Sequence, residues 1–355
     1  TSKSRVDYNP NAKNVVIHND EDGTDWDVES WMNTLSDDKG VVTILWQVLG
    51  AVIRPNVSWN QACFMYSESG NNGKGTLCVL MRQLVSEGRY ASIPLKDFGK
   101  DFMLEPLVRA TSVIVDENDV GTYIDKAANL KAVITGDVVK INRKFKTAIS
   151  FRYKGFMVQC LNELPRIKDK SDSWYRRQLF IPFTKSFTGK ERRYIKDDYL
   201  NRREVLEYAL FRVLNMNYDD FDVPQECKDV MDEYKSFNDP VRQFMEEIMP
   251  QLVWDLVPFT FLYDLYKAWY KRNIADRDTK SLKVFKKDLL NVLPEYSDWS
   301  YEDKTYKPGS KMDKPEPLIF DYKLEEFYNP NYKGNDVNKI CQPMKKSSYT
   351  GIVRV

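Results

Sequence analysis

The first 24 residues are polar and broken by Asn-Pro, Asn-Asp and Asp-Gly, which reads as an extended lead-in. From Asp25 the pattern changes. Trp26, Val28, Trp31, Met32 and Leu35, then Val41 to Ile53, recur at helical spacing until Pro55, which predicts a small head of two or three helices. Its aromatic and aliphatic stripe reads as core or subunit interface rather than as a ligand site. Ala62 to Tyr66 is an unbroken apolar run, the pattern of a strand buried on both faces, and helical spacing resumes from Leu77 to Leu84. Further strands are predicted at Thr111–Val115, Gly155–Leu161 and Gln178–Phe183. Between them, Val139, Ile141, Phe145, Ala148 and Phe151 alternate as in a β-hairpin. Residues 188–235 are charged and helical, with Glu204 to Phe211 closing this part, and Asn238-Asp239-Pro240 marks a break. Helical patterns follow through Met249, over Phe261–Trp269 and over Leu282–Leu290, and then an irregular Lys-, Pro- and Gly-rich stretch, Tyr301 to Pro317.

These patterns divide the chain into a lead-in and helical head (1–58), an α/β nucleotide domain (59–236) and a mostly helical tail (237–355). The tail suggests a winged-helix-like unit with Lys283, Lys286 and Lys287 as a DNA face; the alternative is a helical tail that only supports an assembly. Lys plus Arg (53) nearly equal Asp plus Glu (52), so any nucleic-acid contact must come from local patches. Five scattered cysteines without C-x-x-C suit reduced thiols in a cytoplasmic compartment, and a single histidine, His18, excludes a His-based triad or zinc site. No stretch approaches the ~20 apolar residues of a membrane span. The chain begins at Thr1, as a fragment of something longer would.

The chemistry concentrates at Tyr66 to Leu77, YSESGNNGKGTL, where an apolar strand, a glycine-rich turn and a helix start follow one another. Gly70, Asn71, Asn72 and Gly73 form a turn whose backbone N–H groups can cradle a phosphate chain, and Lys74 supplies a cation to the β/γ oxygens. The residue after such a lysine is usually Ser or Thr, whose hydroxyl holds Mg²⁺. Here it is Gly75, with Thr76 one place later, and neither Glu68 nor Ser69 is the expected first glycine. Either Thr76 holds the metal in a shifted turn, or water replaces the missing ligand.

Val113 to Glu117, 42 residues beyond Lys74, supplies the partner of a phosphate loop: a strand ending in two acids. Asp116 would hold Mg²⁺, and Glu117 would orient and deprotonate the attacking water. Asn162, at the tip of the next apolar strand, is placed to sense a γ-phosphate, although a turn residue before Pro165 reads the same way. Arg176 or Arg177, ahead of the last strand, could reach a neighbouring subunit's γ-phosphate. From Lys140 to Lys154 the hairpin carries Lys140, Arg143, Lys144, Lys146, Arg152 and Lys154 and no acid, a composition suited to a nucleic-acid backbone.

In order and spacing, Tyr66–Thr76, Val113–Glu117, Leu130–Asp137, Cys160–Pro165 and Trp174–Phe183 resemble the motif set of superfamily III helicases, in the poxvirus and phage/plasmid primase–helicase branch of AAA+ ATPases. The resemblance spans roughly residues 40–190. It implies an AAA+-like P-loop core, a hexameric ring with ATP and Mg²⁺ bound between subunits, and a central channel gripping single-stranded DNA. It assigns phosphate and metal to Lys74 and Thr76, metal and base roles to Asp116 and Glu117, the first sensor to Asn162, the arginine finger to Arg176 or Arg177, and DNA contacts to Lys144 and Lys146. It also implies a primase or primase-polymerase module before Thr1, as in a phage replication protein. A nucleotide-binding DNA clamp that hydrolyses little is the alternative that Gly75 keeps open. A small-molecule kinase explains neither the hairpin nor the arginines.

Overall fold

The polar lead-in folds back on itself. Strands β1 (Ile17–Asn19) and β2 (Thr24–Trp26) pair antiparallel, with Gly23 in the left-handed region at φ 67°. Residues 1–24 are therefore not uniformly extended: a three-residue strand either side of Asp-Gly is too short to register as a periodic pattern. The computed structural model describes residues 4–124, 127–167, 169, 171–273, 279–343 and 345–355.

Helix α1 (Val28–Thr34) is capped by Asp27, whose carboxylate accepts from Ser30 N, and α2 (Lys39–Ile53) by Asp38, which accepts from Gly40 N and Val41 N. Helix α2 is buried along nearly its whole length, so it is a core element rather than a surface one. Trp26, Trp31, Leu35 and Leu49 pack in the same hydrophobic cluster as Cys63, Leu77 and Leu179, so the head and the sheet share a core.

The apolar runs then build a five-stranded sheet. Strand β3 (Ala62–Tyr66) leads into helix α3 (Lys74–Val85); β4 (Tyr90–Ala91) and β5 (Ser112–Val115) follow. Strand β6 (Tyr123–Ile124) and helix α4 (Ala128–Thr135) precede a hairpin of β7 (Val138–Arg143) and β8 (Lys146–Arg152). Strand β9 (Phe156–Leu161), β10 (Arg166–Ile167), helix α5 (Asp172–Tyr175) and β11 (Gln178–Pro182) complete the set. The order is β11-β3-β9-β5-β4, every pair parallel. Strands β3, β5 and β9 bury every residue, as expected of a parallel sheet covered on both faces. Along β3, Cys63 and Met65 enter one core, and Ala62, Phe64 and Tyr66 the other. Helices α6 (Arg193–Asp197), α7 (Arg203–Leu214) and α8 (Gln225–Asn238) end this unit, which stops at Asn238.

The second compact unit runs from Asp239 to Val355. Helix α9 (Pro240–Ile248) is followed by β12 (Leu256–Pro258), α10 (Phe259–Asn273), α11 (Leu282–Val292), β13 (Trp299–Ser300) and β14 (Gly351–Arg354). The three strands form an antiparallel sheet in the order β12-β14-β13. Residue 351 must be glycine, because a Cβ there would lie 2.1 Å from the Val257 carbonyl oxygen. The long stretch between β13 and β14 is anchored by Met312, Leu318, Ile319 and Cys341, all buried in the unit's core. Within it, buried Glu316 accepts from Val253 N (2.8 Å) and Trp254 N (3.2 Å). All five cysteines are buried free thiols. Among the described residues, no helix is long and apolar enough to cross a membrane.

Candidate functional site

Because the sheet is parallel, the carboxyl ends of its strands lie at one edge, where open α/β sheets collect ligands. The candidate motifs follow directly on those ends: residues 67–73 after β3, 116–119 after β5 and 162–165 after β9. The 67–73 turn reaches α3 through two left-handed residues, Asn71 (φ 53°) and Gly73 (φ 92°), and Gly73 is the N-cap. The first N–H groups of α3 therefore open onto the loop. Buried Asn72 braces it, donating to Ser69 O and accepting from Lys74 N at 3.2 Å. Lys74 is only 5% exposed. Its Nζ donates to Asn162 Oδ1 (2.9 Å), Leu161 O (3.0 Å) and Ser67 O (3.3 Å). Burial pushes its ammonium below the usual lysine range. Lys74 and Asn162, 88 residues apart in sequence, thus meet directly. Gly75 and Thr76 form the next part of the helix start and line the adjoining cleft.

Asp116 and Glu117 are both exposed at the end of β5. Arg82 from α3 grips Asp116 with two prongs, Nη2 to Oδ1 at 2.7 Å and Nη1 to Oδ2 at 2.9 Å, and this hydrogen bonding holds the carboxyl below its usual range. Glu117 has no side-chain partner among the described residues. The loop behind the acids is pinned by a residue that sequence reasoning passed over. Buried Asn118 accepts from Leu95 N (2.9 Å) and donates to Gln159 Oε1 (2.9 Å) and Cys160 O (3.0 Å). Its clue was Gln159, a polar residue inside an otherwise apolar strand, which needs a partner when buried. The Thr76 hydroxyl and the Asp116 carboxylate are hard oxygen donors of the kind Mg²⁺ takes.

Beside the loop lies a cleft of about 1280 Å³. Trp26, Trp31, Phe187 and Tyr194 give it aromatic walls, and its charged lining is mixed, with Lys190, Arg193 and Lys196 beside Asp25, Asp27 and Glu191. The cleft is tied to the loop through Asn71, whose carbonyl accepts from Phe187 N (2.8 Å) and whose amide donates to Glu191 (2.6 Å). Trp26 and Trp31 are therefore core residues with a second surface on the cleft, where the sequence read core or interface alone. The 187–197 wall was hidden because a charged segment reads as solvated until its neighbours are known.

The paired arginines separate. Arg177 Nη1 donates to Ser173 O and to Ser173 Oγ (2.7 Å), so it is held within its own turn. Arg176 is exposed, and its side chain has no hydrogen-bond or ion-pair partner among the described residues. Both precede β11, whose first residue, Gln178, is level with Ala62 at the start of β3. The phosphate loop leaves the other end of β3, about 13 Å of strand away.

The basic segment is a hairpin, with Val139 and Ile141 facing inward and a two-residue turn of Lys144 and Phe145. Lys140, Lys144 and Lys146 are exposed, while Arg143 donates twice to Thr147 O (2.9 and 3.1 Å) and so braces the turn. Phe145 at the tip is 93% exposed at φ 58°, an unfavourable backbone for a bulky residue. Asn142 donates to Asp101 (2.9 Å), joining the hairpin to a loop that holds a second exposed left-handed phenylalanine, Phe102 (51% exposed, φ 67°). In the second unit, Lys283 and Lys287 are exposed on α11, whereas Lys286 lies over the Phe259 and Tyr301 rings at 4.6 and 4.9 Å.

Two family models match. Residues 65–177 match a family of unknown function, DUF5906, and residues 236–329 match the family described as Poxvirus D5 protein-like. The fold is similar to an A form apo structure of the NrS-1 C-terminal region, with a TM-score of 0.51 and 15% identity, covering 82% of this chain and 74% of that one. A second A form apo structure of that region gives 0.50 at 15% identity, over 86% and 82%. The fold is thus a mixed α/β one with a parallel sheet. The Poxvirus D5-like segment supports a superfamily III helicase-type protein, the class that the motifs resemble.

Proposed function

We propose that this chain is the ATP-hydrolysing motor of a DNA helicase from a replication protein. In this reading it works as a hexameric ring on single-stranded DNA and supports an attached primase or polymerase. The observation that carries the reading is the meeting of Lys74 with Asn162 at the strand-end edge, with Asp116 and Glu117 on the neighbouring strand. ATP would lie along the loop, its phosphates on the first N–H groups of α3 and on Lys74, its base in the aromatic cleft. Glu117 would take a proton from water attacking the γ-phosphorus, and Asn162 would register the γ-phosphate. Mg²⁺ held by Thr76 and Asp116 would neutralise charge on the β- and γ-oxygens.

The test is ATP hydrolysis by the purified chain with and without single-stranded DNA. Turnover that rises with DNA is expected; absence of turnover despite tight binding of both ligands would favour the clamp. Two observations favour that second reading, the missing hydroxyl at Gly75 and the engagement of Asp116 by Arg82.

Arg176 lies at the far end of the sheet from its own loop, which supports action on a neighbour's nucleotide. Arg176→Ala subunits mixed with Lys74→Ala subunits should regain turnover at shared interfaces, measured as phosphate release against mixing ratio. Mixtures no more active than either variant alone would argue against a finger in trans. The exposed lysines and Phe145 support a DNA contact at the hairpin. Lys144→Ala plus Lys146→Ala should flatten the plot of log affinity against log salt by about 1.4. Phe145→Ala should weaken single-strand binding by ~1–3 kcal/mol, a lost stacking contact. Unchanged salt slope and affinity would move the DNA site elsewhere. The second unit's opening helix–strand–helix–helix–strand order, closed by β14 after a long stretch with two four-residue α-helices, supports a winged-helix reading, with Lys283 and Lys287 as its available DNA-facing cations.

A further inference from the structure

The two-pronged contact between Arg82 and Asp116 has no part in the chemistry proposed above. We propose that Arg82 is a positioning residue: it keeps Asp116 paired to a resident cation, and so sets how much divalent ion is needed for nucleotide to bind. The proposal rests on the reading of this edge as a nucleotide site.

The pair is unlike a loose surface bridge. The Arg82 side chain is 20% exposed. Its guanidinium lies over the Tyr90 ring, 5.5 Å from the centroid, and Nη2 also reaches toward Ile114 O at 3.5 Å. Its Nε is buried without a partner, so the fork is fixed by its surroundings and not by solvent. Both Asp116 oxygens are engaged by it. A divalent ion approaching that carboxylate meets a fixed positive charge a few ångströms away, and each cation weakens the other's hold on the same acid.

The helix supplies a second reason. Arg82 lies seven residues beyond Gly75, just under two turns of α3, so the two positions share a face. Gly75 stands where a hydroxyl ligand to the metal is usual, and a Cβ built there meets nothing within 4 Å. The face that normally offers a metal a hydroxyl oxygen therefore offers no donor at Gly75 and a guanidinium two turns on. Neutralisation of Asp116 is built into the protein itself.

The experiment is binding of a fluorescent ATP analogue at fixed concentration while Mg²⁺ is titrated, for the wild-type chain, Arg82→Gln and Arg82→Lys, with folding checked by circular dichroism. In Arg82→Gln the half-saturating Mg²⁺ concentration should fall about fivefold, the upper range for a partly exposed pair. Arg82→Lys keeps the charge but loses the fork, and should show a smaller fall of about twofold. A pair that only stabilises the fold would shift the melting temperature and leave the Mg²⁺ dependence alone. An unchanged or raised half-saturating value in folded Arg82→Gln, or in Arg82→Lys if the glutamine variant does not fold, overturns the proposal. No analogue binding by the wild-type chain at any Mg²⁺ concentration overturns the nucleotide reading itself, a distinct result.

Discussion

Lys74→Ala should lower ATP turnover by about 10²–10³-fold, the effect of removing a preorganised cation worth ~2.7–4 kcal/mol to developing charge. Lys74 is suited to such an effect because it is 5% exposed and aimed by three oxygen acceptors, one of them the Asn162 side chain. A charge fixed in a water-poor site acts far more strongly than one on the surface. The substitution also removes a buried ammonium, so the loss of its hydrogen bonds is offset by relief of a desolvated charge, and the melting temperature should move little. Phosphate release and thermal denaturation measured on the same preparation separate the two effects. Normal turnover in a folded Lys74→Ala chain would remove the phosphate-loop assignment.

Glu117→Gln should retain ATP binding and lose about 10²–10⁴-fold in turnover, the usual contribution of a positioned general base. The change is isosteric, and Glu117 is exposed without a side-chain partner among the described residues, so little structural cost is expected. That separates it from Asp116, whose replacement would also break the contact with Arg82. The measurement is equilibrium binding of nucleotide beside single-turnover hydrolysis. Undiminished hydrolysis in the variant would move the base to another residue.

Much of the sheet was legible because its strands are buried on both faces and therefore appear as unbroken apolar runs with polar tips. Ala62–Tyr66 is such a run, Phe156–Leu161 is one but for Gln159, and the residues just beyond them, Ser67 and Asn162, meet at Lys74. The hairpin was legible for a related reason: alternation at Val139 and Ile141 leaves the charges on the open side. What could not be read depended on partners distant in sequence. Strands β6 and β10 are two residues each and exist only because Tyr123–Ile124 meets Arg166–Ile167. The sheet of the second unit needs β14, whose partner β13 lies some 50 residues earlier. Arg82 looks like an ordinary helix cation until α3 is laid beside β5. The walls of the cleft likewise come from residues 21–35 and 187–197, neither of which carries a motif.

In the ATPase proposed here, the hydrogen bonds made by Lys74 would bear on how quickly products leave. Its ammonium already has three oxygen partners in this structure, so a phosphate that recruits it replaces existing bonds and adds only the difference in strength. Such an exchange lowers the affinity for a bound phosphate while leaving the lysine fixed in place for the next one. When a phosphate departs, the Ser67 and Leu161 carbonyls and the Asn162 amide oxygen stand ready to take the proton donors back. The barrier to release is lower by whatever those contacts return. A loop that closes on itself in this way favours rapid cycling over tight retention, the property a motor needs if departure of spent nucleotide is not to limit its speed.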